Sequence, residues 1–257
     1  MTTAPTPPSA PNEAAQRSFW NAWDTQYRDG KEMDALDAAT KRRGRTVLAW
    51  MDTLGLPRTV HILEVGCANG WLSEHLARYG QVTATDLADE VVARAQARFP
   101  HIRFVAGDFM TIALPRSGFD VIVCLETLSC VADQTGFVGR FAELLKPGGY
   151  LLLTTHNRFV YERSEDVAPQ QPGQVRHWLY WRELKNLLRR HFRIRRHTTL
   201  APTGHRGLLR LVNSYRLAAL LAVFLSPDQI DQIRERMGFG QTHAVLAQAH
   251  TEGVRSA

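Results

Sequence analysis

The residues best placed to bind a ligand stand where a buried apolar run ends. Residues 62–65 read Ile-Leu-Glu-Val, a β-favouring run that predicts a strand covered on both faces. The glycine turn 66–70, Gly-Cys-Ala-Asn-Gly, follows directly, and Glu64 stands two residues before it. A strand that enters a helix through such a turn points free backbone N–H groups at a ligand. The sequence therefore predicts a ligand site at this turn.

Acidic residues end the next two predicted strands. Residues 81–86 alternate as a strand and end in Asp86, and residues 102–108 form a third strand that ends in Asp108. An acidic side chain at the tip of the second parallel strand can accept hydrogen bonds from both hydroxyls of a ribose. The distance from Gly66 to Asp86 also suits dinucleotide-binding proteins, so Asp86 indicates a nucleoside without identifying it.

Four motifs in this order resemble the class I S-adenosylmethionine (SAM) methyltransferases. Residues 64–70 read Glu-x-Gly-x-Ala-x-Gly, which is similar to the first motif of that family and differs from the dinucleotide fingerprint G-x-G-x-x-G. Asp86, the Gly-Asp-Phe sequence at 107–109 and the Leu-Lys-Pro-Gly-Gly sequence at 145–149 follow at the expected spacing. The resemblance covers residues 61–155 and is strongest to the branch that holds the ubiquinone-biosynthesis O-methyltransferases.

The resemblance implies SAM as cofactor and S-adenosyl-L-homocysteine as product. Asp86 would bind the ribose, Asp108 the adenine amino group, and Phe109 would flank the adenine ring. An arginine ahead of the glycine turn would meet the methionine carboxylate; Arg45 and Arg43 are both candidates, and the choice between them stays open. The full set of predicted cofactor contacts is Arg45, Glu64, Gly66, Cys67, Gly70, Asp86, Leu87, Asp108, Phe109 and Leu125.

Three residues are candidates for the general base that a hydroxyl acceptor would need. Histidine has a suitable pKa, so His156 at the end of the fifth predicted strand is the first candidate and His177 the second. Glu126, beside the expected methyl position, is the third. The family commonly has histidine where this chain has Cys130, which is interpreted as a neutral filler. No metal site is predicted, although Glu126 keeps a magnesium-assisted variant open.

The order of the predicted helices and strands that position these residues indicates an α/β fold. We expect a doubly wound, seven-stranded, mostly parallel sheet that ends in an antiparallel hairpin. Helices are predicted over 14–28, 34–54, 71–79 with Gly80 as its stop, 89–99, 136–145 and 182–192. The remaining strands are predicted over 119–124, 150–155, 193–200 and 241–250.

The predicted domain organisation surrounds this sheet with additions. Residues 1–13 are expected to be a disordered tail, and residues 14–57 are expected to be helices that pack on the domain or close over the cofactor. The methyltransferase domain spans 58–250 and includes a substrate loop at 156–181 and an insertion of two helices at 204–239. The first of these, over 208–225, is strongly apolar yet carries arginines, so it is a buried capping helix or an interfacial amphipathic one.

The composition limits the cellular compartment and the binding partners that we expect. The 257 residues contain three cysteines, too few for a disulfide framework, and the first residues lack the pattern of a signal peptide, so a cytoplasmic protein is expected. The formal net charge is +6, concentrated over 176–216, where Glu183 is the sole acidic residue. The predicted partner is a small-molecule methyl acceptor. Nucleic acid is disfavoured, a peripheral contact of 208–225 with the inner face of a membrane is left open, and the oligomeric state is not predicted.

Three other functions are weighed against small-molecule methylation. The basic C-terminal third suits an RNA or protein methyltransferase, but the Asn/Asp-Pro-Pro-Tyr type of motif is missing after the fourth strand. A non-catalytic SAM-binding protein is disfavoured by the intact Gly66, Gly70, Asp86 and Asp108. An NAD-dependent oxidoreductase is disfavoured by the glycine spacing and by the predicted terminal hairpin.

Overall fold

The computed structural model describes residues 12–251. The helices in this part of the chain are α1 Glu13–Tyr27, α2 Ala38–Asp52, α3 Ser73–Leu76, α4 Asp89–Arg98, α5 Gln134–Leu144, α6 Arg158–Tyr161, α7 Trp181–Arg189, α8 Leu208–Val212, α9 Tyr215–Leu221 and α10 Pro227–Arg236. The strands are β1 Val60–Val65, β2 Gly80–Asp86, β3 Arg103–Ala106, β4 Phe119–Leu125, β5 Leu145–His156, β6 Phe192–Pro202 and β7 Gly240–Ala249.

All of these strands join one seven-stranded sheet in the order β3-β2-β1-β4-β5-β7-β6. Neighbouring strands among β1 to β5 are parallel, and β7 is antiparallel to both β5 and β6. The predicted doubly wound, mostly parallel sheet with a terminal antiparallel hairpin is confirmed. Because parallel strands end at one edge of a sheet, the residues that follow β1, β2 and β4 are brought together there.

Helices bury both faces of the sheet, which explains the nearly unbroken apolar sequence of its central strands. On one face α5 and α7 contribute Phe141 and Leu184 to a cluster that includes Leu63 of β1. On the other face α2 and α3 contribute Met51 and Leu76 to a cluster that includes Ile62. Ile62 and Leu63 therefore face opposite cores, and every residue of β1 except His61 is buried.

The chain after the glycine turn is less helical than predicted. The helix α3 has four residues, Ser73–Leu76, rather than the stretch predicted over 71–79. Gly80 does not stop a helix; it begins β2 and pairs with Val60. A Cβ added at Gly80 would lie 2.1 Å from the carbonyl oxygen of Val60, so the close approach of two strands requires this glycine.

The insertion between β6 and β7 contains three helices in place of the two predicted. The apolar stretch 208–225 breaks after α8, and Ser214 accepts a hydrogen bond from the backbone N–H of Leu217 to cap α9. A serine at an N-cap favours a new helix start over continuation of the preceding one. The hydrophobic pattern concealed this break because apolar residues stand on both sides of it.

The predicted tail and the predicted substrate loop both contain helical residues in the structure. Of the tail predicted over 1–13, residues 1–11 lie outside the described residues, whereas Asn12 caps α1 and Glu13 begins it. The loop predicted over 156–181 contains the short helix α6 and ends where α7 begins. Within residues 12–251 we find no helix with the length and apolar character needed to cross a membrane.

Candidate functional site

A pocket of about 410 Å³ opens at the carboxyl ends of β1, β2 and β4. Gly66, Asp86 and Glu126 form its inner wall, each from the end of a different strand. Helix α1 covers one side with Trp20 and Trp23, and residues 161–178 cover the other. The volume is in the range of small-molecule binding sites. The sheet edge predicted to hold the ligand is therefore where the structure has its enclosed pocket.

The glycine turn forms one wall of the pocket through tight internal packing. Gly66 has φ of +78°, and an added Cβ would lie 1.9 Å from Oγ1 of Thr127. The N–H groups of Gly66 and Cys67 both donate to the carbonyl oxygen of Thr85, at 2.8 and 3.0 Å. The expectation of free N–H groups at this turn is therefore wrong for these residues, because β2 already accepts their hydrogen bonds.

Asp86 ties the glycine turn to the turn that follows β2. Its carboxylate accepts hydrogen bonds from the N–H of Ala68 at 2.8 Å and of Ala88 at 3.0 Å. Burial raises the pKa of Asp86, and these two hydrogen bonds oppose that shift. Further along the same edge, Asp108 accepts a hydrogen bond from the N–H of Met110 at 2.9 Å. Both carboxylates line the pocket.

Apolar side chains lie beside these carboxylates in the pocket wall. Leu87 and Leu125 contribute from the ends of β2 and β4, and Phe109 follows Asp108. The ring of Phe109 packs edge-on against Phe137, with ring centroids 4.9 Å apart. Packing against Phe137 therefore fixes Phe109 at the pocket wall, beside the space that a planar ligand would occupy.

Glu126 and His156 form an ion-pair contact inside the pocket. Nδ1 of His156 lies 2.8 Å from Oε2 of Glu126 and 2.8 Å from Oγ of Ser129. The Ser129 hydroxyl in turn donates to the backbone carbonyl oxygen of Glu126 at 3.0 Å. Burial would raise the pKa of Glu126, but its interactions with His156 and Arg43 outweigh burial and hold that pKa at about 2.

This network selects one tautomer of His156. Since the Ser129 hydroxyl proton goes to a carbonyl oxygen, Nδ1 meets two acceptor oxygens and carries the imidazole proton. The other nitrogen, Nε2, is then left with its lone pair. Oε2 of Glu126 is held by its contact with Nδ1, whereas Oε1 has only the guanidinium of Arg43, at 3.9 Å, within ion-pair distance among the described residues.

Four of the predicted cofactor contacts lie outside the pocket. Arg45 is 65% exposed and pairs with Asp34 at 3.4 Å, so its prediction is wrong on position. Cys67 is buried beneath the turn, and a Cβ on Gly70 would meet the ring of Phe104, on the packed side. Glu64 faces Ser73 in the core, where their side chains share a hydrogen bond.

His177, the second candidate for general base, is exposed and does not line the pocket. Its backbone N–H donates to the carbonyl oxygen of Ser129 at 2.8 Å, so the residue anchors the loop through its main chain. This contact directs the neighbouring Trp178 rather than His177 into the pocket wall. Of the two predicted histidines, His156 alone lies at the site.

Several pocket residues were not assigned individually, although they lie in the helix and the loop that the sequence predicts to close over the ligand. They come from α1 and from the loop that follows β5: Trp20, Trp23, Asp24, Arg28, Tyr161, Arg176 and Trp178. The sequence does contain a signal for α1, because Phe19, Trp23 and Tyr27 recur every four residues and therefore share one face of the helix. The direction of that face is set by Asp89, which accepts a hydrogen bond from Asn21 at 2.9 Å and pairs with Arg17 at 3.3 Å.

Comparisons with known proteins agree with this geometry. Residues 63–153 match the family described as a methyltransferase domain. Over 151 residues the chain is 38% identical to a ubiquinone biosynthesis O-methyltransferase of Xanthomonas oryzae pv. oryzae (strain PXO99A), covering 56% of this chain and 59% of that protein. A second such relative, from Xanthomonas axonopodis pv. citri, is matched over 45% of its length. The chain thus spans about half the length of these curated relatives.

Solved structures share the fold across nearly the whole chain. The N-methyltransferase NodS of Bradyrhizobium japonicum, solved with S-adenosyl-L-homocysteine, has a TM-score of 0.61 at 17% identity and covers 93% of this chain and 99% of its own. The [4+2]-cyclase SpnF has a TM-score of 0.64 at 18% identity, covering 95% and 98%. The chain therefore has the class I SAM-methyltransferase fold.

The buried carboxyl of Glu64 leads to a prediction about stability. Burial raises the pKa of Glu64 from 4.5 to about 8, with the charge of Asp86 adding to the shift and the Ser73 hydrogen bond opposing it. The folded protein therefore keeps this proton up to about pH 8, whereas the unfolded chain loses it near pH 4.5. The stability that depends on the proton is complete below pH 4.5 and declines as pH rises to 8.

Glu64→Gln should remove this pH dependence because an amide does not ionise. Between pH 5 and pH 8 the free energy of unfolding of the wild type should fall by roughly 1–4 kcal/mol more than that of the variant. Urea unfolding at both pH values measures this difference. The exposed neighbour Glu74, changed to Gln, is the matched control and should follow the wild type. Identical pH profiles for Glu64→Gln and the wild type would refute the assignment.

Proposed function

We propose that the protein transfers a methyl group from SAM to a hydroxyl of a small aromatic or quinone-like molecule. The observation that carries this proposal is the contact of His156 with Glu126 and Ser129 inside the pocket, which leaves one imidazole nitrogen able to accept a proton. The identity of 38% to a ubiquinone biosynthesis O-methyltransferase supports the choice of acceptor class.

The residues of the pocket fit the cofactor. Asp86 would accept hydrogen bonds from the ribose hydroxyls, and Asp108 from the adenine amino group, with Phe109 and Leu125 against the ring. These carboxylates suit a hydroxyl-rich nucleoside, and the N–H groups of Gly66 and Cys67, which already donate to Thr85, would not be free to bind a pyrophosphate. Oε1 of Glu126, which does not contact His156, would be an acceptor for the cationic end of the molecule.

Two arginines supply the complementary site for the methionine carboxylate. Arg43 is 11% exposed in its side chain, lines the pocket and donates to Oγ1 of Thr40 at 2.6 Å. Burial lowers the pKa of the neighbouring Arg28, and the positive charge of Arg43 lowers it further. A carboxylate beside both guanidinium groups would relieve this repulsion, so the pair favours an anionic group at this end of the pocket.

The chemistry then needs little beyond alignment and a proton acceptor. When bound, SAM supplies an electrophilic methyl group on a sulfonium, which is a good leaving group. The acceptor hydroxyl would give its proton to Nε2 of His156 as its oxygen takes the methyl group, and S-adenosyl-L-homocysteine remains. Glu126 would stabilise the resulting imidazolium, because its carboxylate lies 2.8 Å from Nδ1.

Cys130 does not take over the proton-accepting role. Burial raises the pKa of its thiol to about 12, so the residue is neutral at physiological pH. Its side chain lines the pocket beside Val131. This agrees with its interpretation as a neutral filler and leaves His156 as the base.

The acceptor side of the pocket is aromatic. Tyr161 and Trp178 have ring centroids 4.6 Å apart, and the ring of His156 lies 4.8 Å from that of Tyr161. Trp20 of α1 joins the lining from the opposite side. Rings in this arrangement favour a planar apolar acceptor and hold water away from the methyl group in transfer.

Arg43→Ala should weaken binding of S-adenosyl-L-homocysteine by about tenfold or more, because it removes a charged hydrogen-bond donor from the pocket. Arg45→Ala is the matched control, two residues away on the same helix, and should change affinity by less than about twofold because Arg45 faces solvent. Calorimetric titration measures both affinities. A larger loss in Arg45→Ala than in Arg43→Ala would reverse the assignment.

His156→Gln should lower kcat by about 10²–10⁴ for a catechol acceptor while affinity for S-adenosyl-L-homocysteine stays within about threefold, because glutamine cannot accept the proton. His177→Gln should retain wild-type kcat. The assay follows methyl transfer to a panel of catechols and hydroquinones, and calorimetry checks the cofactor site. Wild-type turnover in His156→Gln would remove the base from the mechanism.

A further inference from the structure

An exposed apolar surface lies on the insertion between β6 and β7. It comprises Leu208 and Leu211 of α8, Tyr215, Leu217 and Leu220 of α9, and Val223 and Phe224 just after α9; we call it the 208–224 surface. Tyr215 is 87% exposed, Phe224 85% and Val223 72%. Outside the insertion, Tyr27 is the only large apolar side chain that is exposed among the described residues. The apolar exposure of this protein is therefore concentrated at one place.

Helix α9 buries little of its apolar surface against the rest of the protein. None of its residues is buried, although its sequence reads Tyr-Arg-Leu-Ala-Ala-Leu-Leu. By contrast, Leu209 of α8 is fully buried against Val160 and Phe239. Leu209 thus anchors α8, while α9 presents leucines and a tyrosine to solvent. Contiguous apolar patches of this kind mark a binding surface.

The charge around the 208–224 surface is positive. The sequence has no aspartate or glutamate between Glu183 and Asp228. Arg210 and Arg216 are exposed and have no acidic side chain within ion-pair distance among the described residues. Arg206 pairs with Glu165 at 3.4 Å, an exposed contact that partly offsets its charge. The surface therefore combines apolar side chains with two unpaired guanidinium groups.

The 208–224 surface is coupled to the aromatic side of the pocket. The backbone N–H groups of His205 and Arg206 both donate to the carbonyl oxygen of Arg163, at 2.8 and 3.2 Å. Arg163 follows α6, whose last residue, Tyr161, lines the pocket. The insertion that carries the 208–224 surface is therefore tied, just before α8, to the segment that lines the aromatic side of the pocket.

We propose that the 208–224 surface docks on a membrane that contains anionic lipid. Leucine, valine and phenylalanine side chains would enter the boundary between headgroups and acyl chains, and Tyr215 would lie at headgroup level. Arg210 and Arg216 would pair with lipid phosphates. A second copy of this chain would bring the same arginines together in a symmetric contact, which like-charge repulsion opposes. The charge therefore favours lipid over self-association.

Flotation with lipid vesicles tests this proposal without any measurement of catalysis. The full-length protein should bind vesicles that contain about one-third phosphatidylglycerol in phosphatidylcholine, and should bind pure phosphatidylcholine vesicles far more weakly. The double variant Val223→Glu/Phe224→Glu should lose at least about tenfold in partitioning, because it places two carboxylates where the apolar side chains would insert.

Charge reversal at the two arginines tests their contribution to vesicle binding, and the same reversal elsewhere on the protein is the control. Arg210→Glu/Arg216→Glu should lower partitioning by more than about tenfold, since each basic residue near an anionic surface contributes roughly fivefold. Arg58→Glu/Arg103→Glu makes the same change in net charge at exposed positions outside the insertion and should bind like the wild type. Circular dichroism confirms that every variant is folded.

Three results would overturn the proposal. The first is absence of wild-type binding to the anionic vesicles. The second is equal loss of binding in the Arg58/Arg103 control and the Arg210/Arg216 variant, which would reduce the effect to net charge. The third is a concentration-dependent dimer, detected by light scattering, that Val223→Glu/Phe224→Glu dissociates; this would identify a second copy as the occupant.

Discussion

The site depends on one buried carboxylate that joins two turns. Asp86 accepts hydrogen bonds from the backbone N–H groups of Ala68 and Ala88, so it connects the glycine turn after β1 to the turn after β2. Ala68 has a positive φ of 49°, a conformation that a non-glycine residue keeps when its surroundings hold it there. With those two turns fixed, the pocket wall is preorganised, and the same carboxylate remains available at the pocket. A single side chain thus shapes the site and provides its predicted ribose contact.

Parallel strand order brings the second half of the site to the same edge. Glu126 follows β4 and His156 ends β5. Because these strands are neighbours in the sheet, Oε2 of Glu126 lies 2.8 Å from Nδ1 of His156. Glu126 has φ of +61°, which turns the chain sharply out of the strand and into the pocket. The buried carboxylate then sets the tautomer of the histidine. The proposed proton transfer therefore rests on this pair rather than on Cys130.

The sequence predicted the sheet because strand ends, glycines and acidic residues carry local signals. Strand ends also predicted Asp86 and His156 near this edge, whereas Asp108 and Phe109 were assigned to the site through the resemblance to a known family; all four line the pocket. Prediction from the sequence failed where long-range contacts decide the outcome. Gly80 resembles a helix stop and is instead required by Val60, a residue twenty positions away. Arg43 and Arg45 lie on one helix, and only the packing of α2 on the sheet determines which of them enters the pocket.

The central claim is that the pocket beneath the glycine turn binds SAM through Asp86. Calorimetric titration of the wild type and of Asp86→Asn with S-adenosyl-L-homocysteine and with NAD tests it most directly. We expect micromolar binding of S-adenosyl-L-homocysteine to the wild type, at least about tenfold weaker binding to Asp86→Asn, and no binding of NAD to either. Binding of NAD, or equal affinity of both proteins for S-adenosyl-L-homocysteine, would contradict the account.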